Sequence, residues 1–320
     1  MKKLTKYILC LLLCAFCLPV NAQAKDLIPG GQVIGLELRD NTVTVAAIDD
    51  TLGSACKAAG IAPGDQIVNI NGISVHSAED IHRALNRSHG TVSVTVNRGG
   101  KEQTFSLSPQ ITSTGPKLGL YLRQGVTGVG TVTWYDPDSG KFGTLGHGVG
   151  NNGQLLRLAS GHAYRAKVTT VRKGKSGAPG QLMGSIESRT PIGDLTANTA
   201  QGVFGITQSG WQGAAIPVAG KNEIRTGSAT IRSTVQGTSL QEYSVEILKI
   251  YPQDRGGGRN LLLRITDPEL LSITGGIVQG MSGSPIIQDG KLIGAVTHVL
   301  VNDPTTGYGI FIENMLDAAA

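Results

Sequence analysis

From residue 33 to residue 310 the chain is a succession of short runs rich in Val, Ile and Thr, cut at close intervals by glycine-bearing turns. Such runs read as strands, because β-branched side chains suit a pleated surface. They include Thr42–Ile48, Gln66–Ile70, Val126–Tyr135, Ala163–Arg172, Leu240–Tyr251 and Leu261–Thr266. Asn71-Gly72 and Asp289-Gly290 each separate two runs and predict two-residue hairpins. Helical spacing is confined to a short stretch ending at Gly60 and to Ala78–Arg87, where Ser77 is a natural N-cap and Ile81, Ala84 and Leu85 form one apolar face. A chain of 320 residues built this way is expected to form two mainly-β domains, with barrels or sandwiches in the larger one.

The first domain is expected over residues 25–109. Its most specific stretch is Ala59-Gly60-Ile61, then Gly64-Asp65, Ile67 and Ile70-Asn71-Gly72, followed by the helix Ala78–Arg87 and the alternating Val92, Val94 and Val96. This order resembles a PDZ domain of the type found in bacterial proteases. The resemblance implies that a peptide adds as a strand beside Ile34–Leu38, under the helix, with its terminal carboxylate received by the backbone of Ile34, Gly35 and Leu36. Residues 110–116 have a linker's composition, and residues 117–320 are left for the second domain.

At the N-terminus, Lys2, Lys3 and Lys6 precede the apolar run Tyr7–Val20 and the small-residue site Ala22-Gln23-Ala24. Residues 1–24 therefore read as a secretory signal peptide or an uncleaved signal anchor, which places the remainder outside the cytoplasm. Three of the four cysteines lie in that segment, so Cys56 is the single thiol beyond it; its small-residue surroundings predict packing. No dense basic cluster suggests nucleic acid, and no His/Cys/Asp/Glu spacing suggests a metal or another cofactor. His76, His82, His89 and His162 read as surface residues.

The second domain contains Gly275-Gly276-Ile277-Val278-Gln279-Gly280-Met281-Ser282-Gly283-Ser284-Pro285. A serine between glycines, just before a hairpin, has backbone N–H groups free to converge on an oxyanion. Upstream, Gly143-Thr144-Leu145-Gly146-His147 ends a strand with a histidine between glycines. Histidine, aspartate, then Gly-x-Ser-Gly-x-Pro is the chain order of chymotrypsin-like peptidases. These two motifs, with Ile293-Gly294-Ala295-Val296-Thr297-His298 and Asn302-Asp303-Pro304-Thr305-Thr306-Gly307-Tyr308-Gly309, closely resemble the SpoIVB (stage IV sporulation protein B) peptidases.

The resemblance implies a mainly-β chain, a PDZ domain followed by a chymotrypsin-like double β-barrel. It implies a serine endopeptidase in which Ser282 is the nucleophile, His147 the base and the N–H groups of Gly280 and Ser282 the oxyanion hole. It points to Asp267 as the orienting acid, although Asp267-Pro268 is also a good helix start and Asp194 is a rival. Thr297 and His298 are expected on the strand that borders the substrate. The family acts between the two membranes around a developing spore. It cleaves itself and a membrane-embedded regulator of the intramembrane protease that processes pro-sigma-K. Met281 stands where digestive relatives carry an aspartate that pairs with a new N-terminus, so activation is expected to run through the PDZ domain instead. Two other readings fit the same residues: a PDZ-centred scaffold with an inactive peptidase fold, and an envelope quality-control protease like the HtrA group.

Overall fold

The computed structural model describes residues 25–151, 154–207, 210–253 and 257–320, and the segment read as a signal peptide or signal anchor, residues 1–24, lies outside them. The chain enters through β1 (Asp26–Pro29) and β2 (Val33–Arg39). A PDZ-like unit follows: β3 (Val43–Ile48), α1 (Ser54–Ala59), β4 (Gln66–Ile70), β5 (Ile73–Ser74), α2 (Ala78–Asn86), β6 (Val92–Arg98), β7 (Lys101–Leu107), the hairpin β8 (Gln110–Thr112) with β9 (Gly115–Lys117), and β10 (Leu120–Arg123). The local signals act as expected: Gly60 ends α1 in the left-handed region at φ 98°, and the Ser77 hydroxyl accepts the Asp80 N–H at the start of α2. Its sheet runs β10-β3-β4-β6-β7 and closes with α2 over a core of Val43, Val45, Ile67, Ile81, Val94 and their neighbours.

Next come β11 (Val126–Tyr135), β12 (Lys141–Thr144), the small hairpin β13 (Gly150–Asn151) and β14 (Gln154–Leu155), β15 (Ser160–Arg172), β16 (Gln181–Thr199) and β17 (Gly202–Thr207). A short β18 (Ile216–Pro217) leads to β19 (Gly227–Gln236), β20 (Ser239–Ile250), β21 (Leu261–Ile265), α3 (Pro268–Thr274), β22 (Pro285–Gln288), β23 (Lys291–Leu300), β24 (Asp303–Phe311) and α4 (Ile312–Ala319). Strands β19, β20, β21, β24, β23 and β22 form a closed barrel. The other barrel runs β2-β11-β12-β17-β16-β15 and closes because β15 pairs with β2. With each barrel's strands counted in chain order, both rings read first, second, third, sixth, fifth, fourth. This is the chymotrypsin-like double barrel. Each barrel is filled by its own apolar side chains, and Trp134, Phe204, Ile310 and Met315 form a further cluster shared between them.

The PDZ unit is inserted between the first and second strands of the first barrel, rather than preceding it. β2 pairs with β11 on one side and β15 on the other; Gly35, for example, sits opposite both Val129 and Tyr164. The peptide-binding role expected for Ile34, Gly35 and Leu36 therefore does not fit: their strand has no open edge, and Ile34 and Leu36 are buried in the barrel core. The stretch read as a linker is the β8–β9 hairpin, and the PDZ sheet ends only at β10. The two crossings are held together, since the Gln124 side-chain amide donates to the carbonyls of Asp40 and His76. Gly125 has φ 89°, and a Cβ there would lie 1.9 Å from the Leu38 carbonyl oxygen, so only glycine fits this crossing.

Candidate active site

Ser282 precedes the fourth strand of the second barrel and His147 follows the third strand of the first, so both lie at the seam between barrels. Two threonines of the first barrel tie the seam, and a third braces one of them. Thr131 donates its N–H to the Ser282 carbonyl (3.0 Å) and its hydroxyl to the Gly280 carbonyl (2.7 Å). The Thr133 hydroxyl donates to the Gly283 carbonyl (2.8 Å), and the Thr144 hydroxyl to the Thr131 carbonyl (2.5 Å). Gly283 is required here: at φ 96°, a Cβ would come 2.0 Å from the Thr131 oxygen.

The loop geometry aims two amides at one place. The Gln279 carbonyl accepts the Leu182 N–H (2.8 Å), so across the trans peptide the Gly280 N–H points the other way. The Met281 carbonyl accepts the Ser284 N–H (2.9 Å), which turns the Ser282 N–H outward in the same manner. Among the described residues Gly280 N and Ser282 N have no partner, whereas Met281, Gly283 and Ser284 donate to Val278, Val296 and Met281. Two such outward N–H groups can donate to a developing oxyanion. The Ser282 hydroxyl donates to the Thr297 carbonyl (2.8 Å), which puts β23 beside this serine. Ser284 is a different kind of residue: fully buried, with its hydroxyl bonded to that of Ser233.

His147 is half-buried, and its Nδ1 lies 3.0 Å from the Gly148 carbonyl oxygen. A carbonyl only accepts, so the neutral ring carries its proton on Nδ1 and leaves the Nε2 lone pair for use as a base. Burial lowers the ring's pKa from the ordinary 6.5, with the Gly148 carbonyl opposing that shift. The approach to His147 is strained. Leu145 is buried at φ 69°, and Gly146 N–H bonds back to the Thr144 carbonyl in a three-residue turn. The loop after His147 is fastened by Asn198, whose amide side chain accepts from Val149 N and donates to the carbonyls of Val149 and Leu156.

The ring beside His147 is that of His298, with centroids 5.3 Å apart and planes tilted by 41°. Its Nδ1 is buried without a partner among the described residues, and burial, then the His147 charge and Arg259, push its pKa down to about 4. His298 therefore stays neutral beside His147 at neutral pH. Neither candidate acid reaches this place. Asp267 caps α3, its carboxylate accepting from Leu270 N (3.0 Å) and Ser244 N (3.3 Å). It lies beyond the far end of β21, while the residues before that strand, Gly257 and Gly258, abut His298 and Gly146. Five extended residues separate those ends by roughly 15 Å. Asp194 pairs across β15–β16 with His162 on an exposed face. The helix-start reading of Asp267 describes its contacts, and the acid reading does not.

Sequence reasoning missed Thr131, Thr133, Asn198 and the Gly148 carbonyl. A threonine in a strand reads as generic β propensity, and a carbonyl carries no sequence signal.

The PDZ unit has its open edge elsewhere. β10 is one of the sheet's two outer strands, and between it and α2 lies a cavity of about 290 Å³ lined by Ala78, Ile81, Leu85, Leu118, Leu120 and Leu122 among others. Leu118-Gly119-Leu120 forms the loop entering that edge, with Gly119 at φ 64°. Cys56 lies beneath it, its thiol donating to the Leu118 carbonyl; burial raises that thiol's pKa to about 11, so it is a packing residue.

The profile of the SpoIVB peptidase S55 family matches residues 115–316, and that of a PDZ domain matches residues 32–108. The chain belongs to the SpoIVB peptidase family. It carries a PDZ domain, and its two barrels have the chymotrypsin-like strand order. Both matched ranges depart from the folded units, because β2 falls in the PDZ match but completes the peptidase barrel, and β10 does the reverse.

Among curated proteins, a putative zinc metalloprotease of Agrobacterium fabrum is 38% identical over 90 residues, 28% of this chain and 23% of that protein. One of Mesorhizobium japonicum is 34% identical over 80 residues, 25% and 22% of the two chains. The matches thus span less than a quarter of those relatives' own length. Zinc stands in their names; among the described residues of this SpoIVB peptidase, no group of three or more His, Cys, Asp or Glu is placed to hold a metal ion. The Rv3671c protease of M. tuberculosis, solved in an inactive form, covers 60% of this chain and 84% of its own at 15% identity and a TM-score of 0.35, too low to add to the strand order.

Proposed function

We propose that this SpoIVB-family peptidase is an exported endopeptidase in which Ser282 attacks the scissile carbonyl, His147 Nε2 takes the hydroxyl proton and returns it to the leaving amine, and the N–H groups of Gly280 and Ser282 hold the oxyanion. The observation that carries this reading is the pair of outward, unpartnered amides flanking Met281 beside a serine hydroxyl at the His147 seam. A single donor of this kind is worth roughly 10²–10³ in rate. The Gly148 carbonyl, rather than a carboxylate, sets the His147 tautomer. In the resting arrangement the Ser282 hydroxyl is turned to Thr297, so it must rotate towards His147 before attack. Thr297 and His298 then border the substrate.

The natural substrates proposed are the chain itself and a membrane-embedded regulator of an intramembrane protease that processes pro-sigma-K during sporulation. That role, and the location between the spore membranes, rest on the SpoIVB resemblance and on the signal-like N-terminus. No helix among the described residues is long and apolar enough to cross a membrane, so an anchor, if retained, is the N-terminal segment. The PDZ unit would supply the peptide-responsive element: a peptide strand added to β10, under α2, would sit on the chain that continues directly into β11, whose Thr131 hydroxyl bonds the Gly280 carbonyl of the Ser282 loop.

A fluorophosphonate probe tests the chemistry. Wild type is expected to label and Ser282→Ala not to; a folded wild type that stays unlabelled leaves the scaffold reading instead. Mass spectrometry of the mature N-terminus and of self-cleavage fragments tests export and self-processing. An unprocessed, unfragmented chain after expression in a spore-forming host would overturn both.

A further inference from the structure

The residues whose outward N–H groups form the oxyanion hole are Gly280 and Ser282. Their carbonyls are held by one other residue, Thr131, through its side chain in the first case and its backbone in the second. We infer that Thr131 is a positioning residue for catalysis, whose hydroxyl fixes the 280–281 peptide that joins the two oxyanion donors and whose carbonyl references it to the base.

Gly280 sits at φ 99°, and a glycine at such a place turns freely between the peptide planes on either side. Both planes are pinned: the preceding one by Leu182 N on the Gln279 carbonyl, the following one by Thr131 Oγ on the Gly280 carbonyl. Without the hydroxyl, only Met281 N–H to the Val278 carbonyl restrains the second plane. The Thr131 carbonyl meanwhile accepts from Thr144 Oγ and from Leu145 N (3.3 Å), the residues that lead into His147. Thr131 is fully buried, so water cannot replace its hydroxyl. Oxyanion donor, nucleophile and base are thus all set from one point on β11.

Thr133 is a matched control. It is also fully buried on β11, and its hydroxyl also donates to a carbonyl of the serine loop, but to Gly283, after the nucleophile. A merely structural threonine–carbonyl bond would behave alike at both places.

The proposal rests on the serine-peptidase reading, and the test separates the two. The second-order rate of fluorophosphonate labelling is measured on the full chain for wild type, Thr131→Val, Thr131→Ser and Thr133→Val, with melting temperatures alongside. We expect Thr131→Val to label at least about tenfold more slowly, up to the roughly 10²–10³ for loss of one donor. Thr131→Ser, which keeps the hydroxyl, and Thr133→Val should stay within about threefold of wild type. If Thr131→Val loses its folding transition, Thr131→Cys, with a weaker donor of similar size, replaces it with the same expected order. The proposal is overturned if Thr131→Val labels like wild type, if Thr131→Ser is as slow as Thr131→Val, or if Thr133→Val is equally slow. Absence of labelling in wild type would instead defeat the underlying peptidase reading.

Discussion

Asp267 decides how this site differs from a three-residue triad. Its carboxylate is spent on the amides of Leu270 and Ser244, at the opposite end of β21 from the histidines. Asparagine caps a helix about as well as aspartate, whereas alanine costs about 1 kcal/mol. Asp267→Asn is therefore expected to keep fluorophosphonate labelling within a few-fold and an unchanged melting temperature, and Asp267→Ala to lower stability by about that amount. A loss approaching 10⁴-fold in Asp267→Asn, the scale expected when a triad acid is neutralised, would restore the acid assignment.

The histidines give pH predictions with a definite sign. His147 works unprotonated, and burial lowers its pKa below 6.5. The labelling rate should climb with pH, reach half its plateau below pH 6.5 and stay flat through neutrality; an apparent pKa above 6.5 would contradict the burial. His298 has a folded-state pKa of about 4 against an ordinary 6.5. The unfolded chain therefore takes up a proton first as pH falls, so His298 makes stability decline between about pH 6.5 and pH 4. Urea midpoints at pH 7.5 and 5 should differ more in wild type than in His298→Asn. Equal differences would mean that His298 is not held neutral.

At the scale of elements, the serine loop and three helix caps were readable because their signals are local. Ser77, Gly60 and Asp267-Pro268 act where they stand, and Asp289-Gly290 turns with both residues at positive φ. Strand partnership was not readable. Pro29-Gly30-Gly31 running into Val33–Leu38 has the look of a carboxylate-binding loop and strand, and nothing within it says that β11 and β15 will occupy both its edges. Leu118-Gly119-Leu120, the loop that does enter an open edge, lay just past a stretch with linker composition. Hydrogen exchange with a bound C-terminal peptide should slow in Leu120–Arg123 and remain unaltered in Val33–Arg39, and Ala78→Arg should weaken binding at least tenfold by filling the cavity beside α2. Protection in β2 would return the peptide to the place expected from the sequence.

For the whole molecule, the insertion makes the N-terminal strands part of the peptidase. Val126 on β11 lies opposite Leu38 on β2, so the two crossings into the PDZ unit are adjacent. A chain with residues 43–122 replaced by a short glycine linker should retain a cooperative melt. A fragment of residues 115–320 should not, since it leaves β11 and β15 with bare edges and the barrel without Ile34, Leu36 and Leu38. The reverse result would mean that β2 belongs to the PDZ unit after all. The central claim concerns the seam between the barrels, and the site of covalent modification tests it most directly. Peptide mapping of fluorophosphonate-treated protein should place the adduct on Ser282, with the label lost in His147→Ala. An adduct on the buried Ser284, or labelling of Ser282 that is indifferent to His147, would contradict it.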